Sequence, residues 1–558
     1  MGMAKRLYLY GVSAVSLFVL CFGLYSLLAV ALGEIADAIG TTIIGGGSTG
    51  REQLSLAIAL VVVGTPLFAI HWWLVGRGWR GTDVAAADDR RSAIRAFHIG
   101  LVKTVALGIA MSAAIHLLDR GFRTVLGVTD DGGGRTSDDL ALILIAAPVW
   151  WFHVTRRNAD LRHDRLHGAA AWLTRLHRYG WMFAGLTTLL VGASQLITTV
   201  SYALIGRPEF GVEQDWWRGP LAWSLAAIII GLGVWWLHVD DAKRAIRDTD
   251  VIGEDDRSTA MRMTYFGAAL LVALASAGLT VTTSMAELGR QLLGVADEVG
   301  IRAFLESVVG PIIVAVPFVV AGWLHWQALR DEARERGLAP VAAAGRLSLH
   351  LAAIVGITFL AVGVARLGAL LLERVLGPIG ADDFFRRELV FFVAQILVGA
   401  VLWLPAWSAI LRRRTAAPAT ERLATTSRAY LLLILGAALI AGVPSAVFTL
   451  FRLIDTLLGG GATALGTDLP IPVAVVAVAA IVALYHGRLV VRDLSLASAE
   501  QRTALAQVPT DHPVDTHAAA VPSTTLALVL RGQGGDDLEA IAASLRKYLP
   551  TGVLLESG

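Results

Sequence analysis

The chain of 558 residues has a single cysteine, Cys21. A disulfide within the chain is therefore excluded, as are a CxxC redox pair and any metal site built on cysteines. Charge is also scarce. Asp, Glu, Lys and Arg make up 16% of the residues, against about 25% in an ordinary soluble domain. The signatures of common enzymes are missing: there is no HExxH, no GxSxG, no Walker lysine and no paired-carboxylate pattern, so the sequence contains no recognisable nucleophile, base or phosphate cradle. Gly45-Gly46-Gly47-Ser48-Thr49-Gly50 is not followed by Lys-Ser/Thr. Gly532-Gln533-Gly534-Gly535 is followed by Asp536 and Asp537, which suit a helix start but would repel a phosphate there.

What is abundant is apolar surface. Hydrophobic residues make up 55% of the chain, gathered in runs of 20 or more, and at 1.5 Å per helical residue such runs cross about 30 Å of hydrocarbon. The sequence predicts an all-α integral membrane protein.

Aligning the histidines that end several of these runs brings out an internal repeat. Phe68-Ala69-Ile70-His71, Trp150-Trp151-Phe152-His153, Trp235-Trp236-Leu237-His238, Gly322-Trp323-Leu324-His325, Trp403-Leu404-Pro405-Ala406 and Ala483-Leu484-Tyr485-His486 fall into one column, about 80 to 87 residues apart. Only the fifth copy lacks the histidine. This period predicts six repeats, 1–80, 81–160, 161–248, 249–335, 336–415 and 416–496, followed by a linker, 497–522, and a small tail, 523–558.

Each repeat follows one plan. An arginine starts its first helix (Arg6, Arg95, Arg178, Arg262, Arg346, Arg428), and a glycine stands near the end of that helix (Gly33, Gly127, Gly206, Gly294, Gly377, Gly459), where a left-handed stop is favourable. The arginine-to-glycine distance predicts first helices about one turn shorter in repeats 1 and 3. Second helices, ending in the aromatic-histidine box, are expected near 53–76, 139–155, 220–240, 304–328, 388–411 and 470–491. Residues 6–32 are too long for an ordinary signal-peptide core and match the repeat, so they are read as a first transmembrane helix.

About twelve spans follow, as six helical hairpins. Lys and Arg concentrate in the connectors after each box, as in Arg156, Arg157, Arg162, Arg165 and Arg175 or Lys243, Arg244, Arg247 and Arg257. By the positive-inside rule both termini and the connectors are cytoplasmic, in a bacterial inner membrane. Hairpins that enter and leave on one side are parallel repeats; ring, row and two groups of three all remain compatible with them. Segments such as Leu166 to Leu176 are expected to lie on the inner membrane surface, where the connectors meet anionic lipid, and nothing calls for nucleic acid. Residues 523–558 read as strand, helix and strand, a cytoplasmic α/β tail too small for a core of its own and hence expected to pack on a protein partner.

Two groups of residues are candidates for function. His71, His153, His238, His325 and His486 form either an interfacial belt with the neighbouring aromatics or the lining of a cytoplasmic vestibule. Gln195, Thr198, Thr282 and Thr283 are intramembrane polar residues, suited to interhelical hydrogen bonds or to a substrate site between repeats 3 and 4. Lys103, Arg366 and Arg374 are read as structural, Lys103 by snorkelling. No catalytic, cofactor or metal residue is expected.

The arginine-led first helix, Arg6-Leu7-Tyr8-Leu9-Tyr10, paired with the aromatic-rich second helix resembles an uncharacterised bacterial family of membrane proteins, classed as a domain of unknown function and found in tandem copies. The resemblance covers about residues 5 to 495 and implies architecture without an activity. The expectation is a non-enzymatic scaffold or sensor-type component, with a transporter or channel as the alternative.

Overall fold

The computed structural model describes residues 2–38, 49–128, 135–163, 166, 168–205, 215–247, 260–376, 382–458 and 465–506. Among them every regular element is helical. The chain divides into two units, Met1–Ala497 and Ser498–Gly558; of the second, only the end of the last long helix is described. The expected α/β tail, 523–558, lies outside the described residues, as do Gly206, Gly377 and Gly459.

Twelve helices are long and apolar enough to cross a membrane, and the protein is a multi-pass membrane protein. They are α1 (Met3–Ala38), α2 (Thr49–Trp79), α3 (Ala93–Val125), α4 (Thr136–His163), α5 (Gly168–Ile205), α6 (Arg218–Arg247), α7 (Ala260–Leu292), α8 (Gly310–Glu335), α9 (Leu338–Leu376), α10 (Asp382–Ala416), α11 (Thr425–Leu457) and α12 (Pro470–Ala506). Large apolar side chains such as Val62, Ile440 and Ile481 are exposed, which in a membrane means that they face lipid rather than water.

Several boundaries differ from those read in the sequence. The even-numbered helices run on past the aromatic-histidine box, α4 to His163, α8 to Glu335 and α12 to Ala506, so the basic connectors begin as helix and residues 499–506 are not linker. Arginine and lysine are good helix formers, and nothing in these segments breaks the hydrogen-bond ladder. Gly127 and Gly294 do adopt positive φ, 70° and 68°, and end α3 and α7. Gly33 does not stop α1, which continues to Ala38. α1 is consequently 36 residues long, not shorter than the 33 residues of α3 or α7, because a glycine ends a helix only where the chain turns there.

The helices contact one another in a regular sequence. α1 lies along α2, α3 along α4, α5 along α6, α7 along α8 and α9 along α10. The odd helices touch in succession, α1 with α3, α3 with α5, α5 with α7, α7 with α9 and α9 with α11, and the first four also touch the even helix of the next pair, α1 with α4, α3 with α6, α5 with α8 and α7 with α10. α12 joins through Tyr485 and Asp493, which bond Trp407 and Arg414 of α10.

Small residues let the paired backbones approach. A Cβ on Gly231 of α6 would lie 2.5 Å from the Leu189 nitrogen of α5, and one on Gly185 would lie 2.5 Å from the Trp235 nitrogen. Gly356 and Gly399 repeat this reciprocal arrangement between α9 and α10. Without a water-driven hydrophobic effect between spans, close packing of this kind supplies much of the attraction.

Candidate functional site

The arginines that mark the repeats in the sequence are ion-pair clamps. Each reaches a carboxylate beyond the end of the paired even helix or within its last turns: Arg6 to Asp89 at 2.9 Å, Arg95 to Asp160 at 2.8 Å, Arg178 to Asp241 at 2.6 Å, Arg262 to Glu332 at 2.7 Å and Arg346 to Glu421 at 3.1 Å. In the sixth place Arg414, from α10, grips Asp493 with both oxygens at 2.8 and 2.7 Å and also donates to Ser427. Asp160, Glu332 and Asp493 each stand seven residues after a box histidine, so two helical turns put acid and imidazole on one face.

Between the clamps and the membrane interior lie three related centres. In the second, spanning α5 to α8, Trp235 Nε1 donates to the Tyr265 hydroxyl at 3.0 Å, Tyr265 donates to His325 Nε2 at 2.7 Å, and His325 Nδ1 donates to the Ala321 carbonyl at 2.6 Å. The carbonyl fixes the tautomer: Nδ1 beside an oxygen must carry the proton, which leaves Nε2 as the acceptor. Every polar atom in that chain is used. Arg262 takes both Glu332 oxygens and reaches the Tyr179 hydroxyl at 3.4 Å.

The third centre, α9 to α12, repeats this with Tyr430 and His486 at 3.4 Å, His486 Nδ1 bonded to the Val482 carbonyl at 2.9 Å, and Trp407 donating to Tyr485 at 2.6 Å. In the first, α1 to α4, histidine replaces the tyrosine. His98 Nδ1 donates to the Tyr10 carbonyl at 3.1 Å and its ring centre lies 6.0 Å from that of His153, whose Nδ1 bonds the Val149 carbonyl. Arg95 reaches the Tyr10 hydroxyl at 3.0 Å, and Tyr10 in turn donates to Asp89 at 3.1 Å.

The box thus splits by face. Trp151, Trp236 and Trp323 are 63%, 62% and 53% exposed, whereas His153, His238, His325 and His486 are all buried, between 1% and 8%. The tryptophans form the lipid-facing side and the histidines turn inward. His71 is half-buried against Tyr8 and bonds the Leu67 carbonyl. In the fifth copy Ala406 fills the inward position, buried beside Trp407.

The threonine hydroxyls among the intramembrane polar residues bond within their own helices: Thr198 and Thr199 donate to the carbonyls of Ser194 and Gln195, and Thr282 and Thr283 to those of Gly278 and Leu279. Thr282 is fully buried while Thr283 faces outward. Ser194 alone of this group crosses helices, donating to the Val314 carbonyl at 2.9 Å. Arg366 stacks on Phe392 and Arg374 pairs with Asp382. Among the described residues no group of three or more His, Cys, Asp or Glu converges as a metal site.

Sequence reasoning missed the tyrosines, Tyr10, Tyr265 and Tyr430, and all the acid partners. One available signal was the acid seven residues after the box in alternate repeats; another was the aromatic at Arg95+3 and Arg262+3. The first recurs every second repeat, so a column built on single repeats hides it.

Searches of the curated proteins and of the solved structures returned no match. A family model matches the chain three times in tandem, over residues 6–137, 175–320 and 346–485, and the chain belongs to that family, a domain of unknown function, DUF5671.

Proposed function

We propose that the protein is a non-enzymatic membrane scaffold: six parallel two-helix hairpins, paired into three family copies, in a bacterial inner membrane with both termini cytoplasmic. The observation that carries this reading is that the buried polar groups of the second centre and of the clamps bond one another across helices. Trp235, Tyr265 and His325 close a chain on a backbone carbonyl, and bidentate arginine–carboxylate clamps lock consecutive helices. Groups committed in this way hold a structure and are unavailable for turnover. Tyr10, Tyr179 and His350 each fall four residues after the start of a family match, and each packs its ring on the aromatic of the next hairpin, His98, Tyr265 and Tyr430. The same joint is therefore built three times.

A transport path between the hairpins would need a polar lining at mid-membrane. The crevice between α7, α8 and α9, of about 330 Å³, is instead bounded by Leu270, Ala273, Gly322, Trp326 and Leu351. In this reading the basic connectors rest on anionic lipid, and residues 523–558 form the small α/β module that engages a protein partner.

The test compares the full chain with one ending at Ala506 in a mild-detergent pull-down from the native membrane. Loss of a specific associated protein on truncation supports the scaffold. An unchanged set of associated proteins overturns it.

A further inference from the structure

The junction between the first and second family copies differs from its counterpart between the second and third. Lys103 of α3 lies eight residues after Arg95; the position eight after Arg262 is Leu270, and eight after Ser427 is Leu435. Arg157 of α4 lies four after His153; four after His325 is Leu329 and four after His486 is Val490. Two cations thus occupy places that are apolar in both other copies. His177 of α5 stands where the third copy has Ser348, each two residues after the start of a family match. Leu270 and Ser348 line the apolar crevice already described, and Lys103 and His177 hold the corresponding positions one copy earlier.

The charges at this junction do not balance. Asp160 gives both oxygens to Arg95, and Asp241 takes Arg178. Arg157 lies within electrostatic reach of Asp160, Arg95 and Arg178, and Lys103 within reach of Arg157, Arg178 and Asp241. Among the described residues, four cations therefore face two carboxylates. Arg157 is 3% exposed; one of its terminal nitrogens donates to Thr174 Oγ1, and the other, Nη1, is buried with no hydrogen-bond partner. A guanidinium nitrogen without an acceptor, away from water, is costly unless an anion supplies one. The site opens sideways: Thr104, bonded to His177 at 2.8 Å, is exposed, Lys103 and His177 are half-buried, and Leu101 and Val105 beside them face lipid.

We propose that the junction of α3, α4, α5 and α6 binds a phosphoryl anion, held by Arg157 Nη1 and the Lys103 ammonium, its charge compensating the pair. A planar guanidinium beside a mobile ammonium is a common phosphate-binding combination. The junction lies at the clamped ends of the helices, where a phospholipid headgroup can enter from the bilayer and a free phosphate from the aqueous side. This assignment goes beyond the scaffold reading and does not depend on the tail.

The test uses the full chain, stripped of lipid in detergent, with phosphatidylglycerol, phosphatidylcholine or inorganic phosphate added and bound ligand counted by native mass spectrometry. The comparison variant is K103L/R157L, which copies the residues of the second copy. One phosphatidylglycerol per wild-type chain, retained at least tenfold more than by the variant, supports the proposal with lipid as the source. Retention of inorganic phosphate without lipid, lost in the variant, supports it with a soluble source. Equal retention of all ligands by wild type and variant overturns it. If K103L/R157L fails to elute as a single species, K103Q replaces it, and a loss of retention below threefold in that variant also overturns the proposal.

Discussion

Arg95 and Asp160 form a bidentate pair, 2.8 and 3.0 Å, with both side chains removed from solvent, 0% and 3% exposed. Tyr10 closes the remaining side of the guanidinium. Replacing Asp160 by Asn leaves a buried cation without its counter-charge, which costs about 3–5 kcal/mol. The expected result is a lower melting temperature in detergent, followed by circular dichroism. The paired substitution R95M/D160L strands neither member of the pair and is expected to recover part of that loss, the remainder coming from buried Arg157, which loses the nearby Asp160 carboxylate.

Tyr265→Phe removes the hydroxyl that accepts from Trp235 and donates to His325. Two buried polar atoms then lack partners, for a loss of about 1–3 kcal/mol. A melt of the variant measures this, and Trp235 emission is expected to shift as its indole N–H loses its acceptor. Tyr265→His, which copies the first centre, is expected to be milder.

Gly231 and Leu189 approach too closely for any side chain at 231. Gly231→Leu is expected to separate α5 from α6 and abolish a monodisperse elution peak. Gly487→Ala is the control: a Cβ there meets nothing within 4 Å, and alanine is the better helix former by about 1 kcal/mol. A normal peak for Gly231→Leu would refute the close-packing account.

The Arg6 guanidinium holds the exposed Asp88 carboxyl below its usual range, by hydrogen bond and by charge. A depressed carboxyl contributes stability above its ordinary pKa, and that contribution is lost as pH falls through the folded value. Solvent screening keeps it small. Melting temperatures of wild type and D88N are therefore expected to differ slightly at pH 7 and to converge as the pH drops below the usual carboxylate range.

Much of the architecture was legible in the sequence. Apolar runs longer than the bilayer is thick permit little besides helices, since each backbone N–H and C=O must be satisfied without water. Twelve spans follow from that constraint. The arginines at the head of each odd helix were visible as markers, but their acid partners lie 63 to 83 residues away, and no local pattern connects Arg95 to Asp160. The histidine box could be read as one band at the membrane surface because residues two apart look alike in a column. In a helix they are separated by about 200°, so Trp151 meets lipid while His153 does not.

What the sequence by itself determined is the number of spans, the repeat and the place of the charged ends, all of which follow from hydrophobicity along the chain. Tertiary structure alone decided which polar residues meet: that Tyr265 bonds His325, that Arg414 takes over from the sixth repeat's own arginine, and that Lys103 and Arg157 share a junction with too few carboxylates. Those relations depend on how neighbouring helices rotate about their axes. That rotation is set by close contacts such as Gly231 against Leu189, between residues distant along the chain.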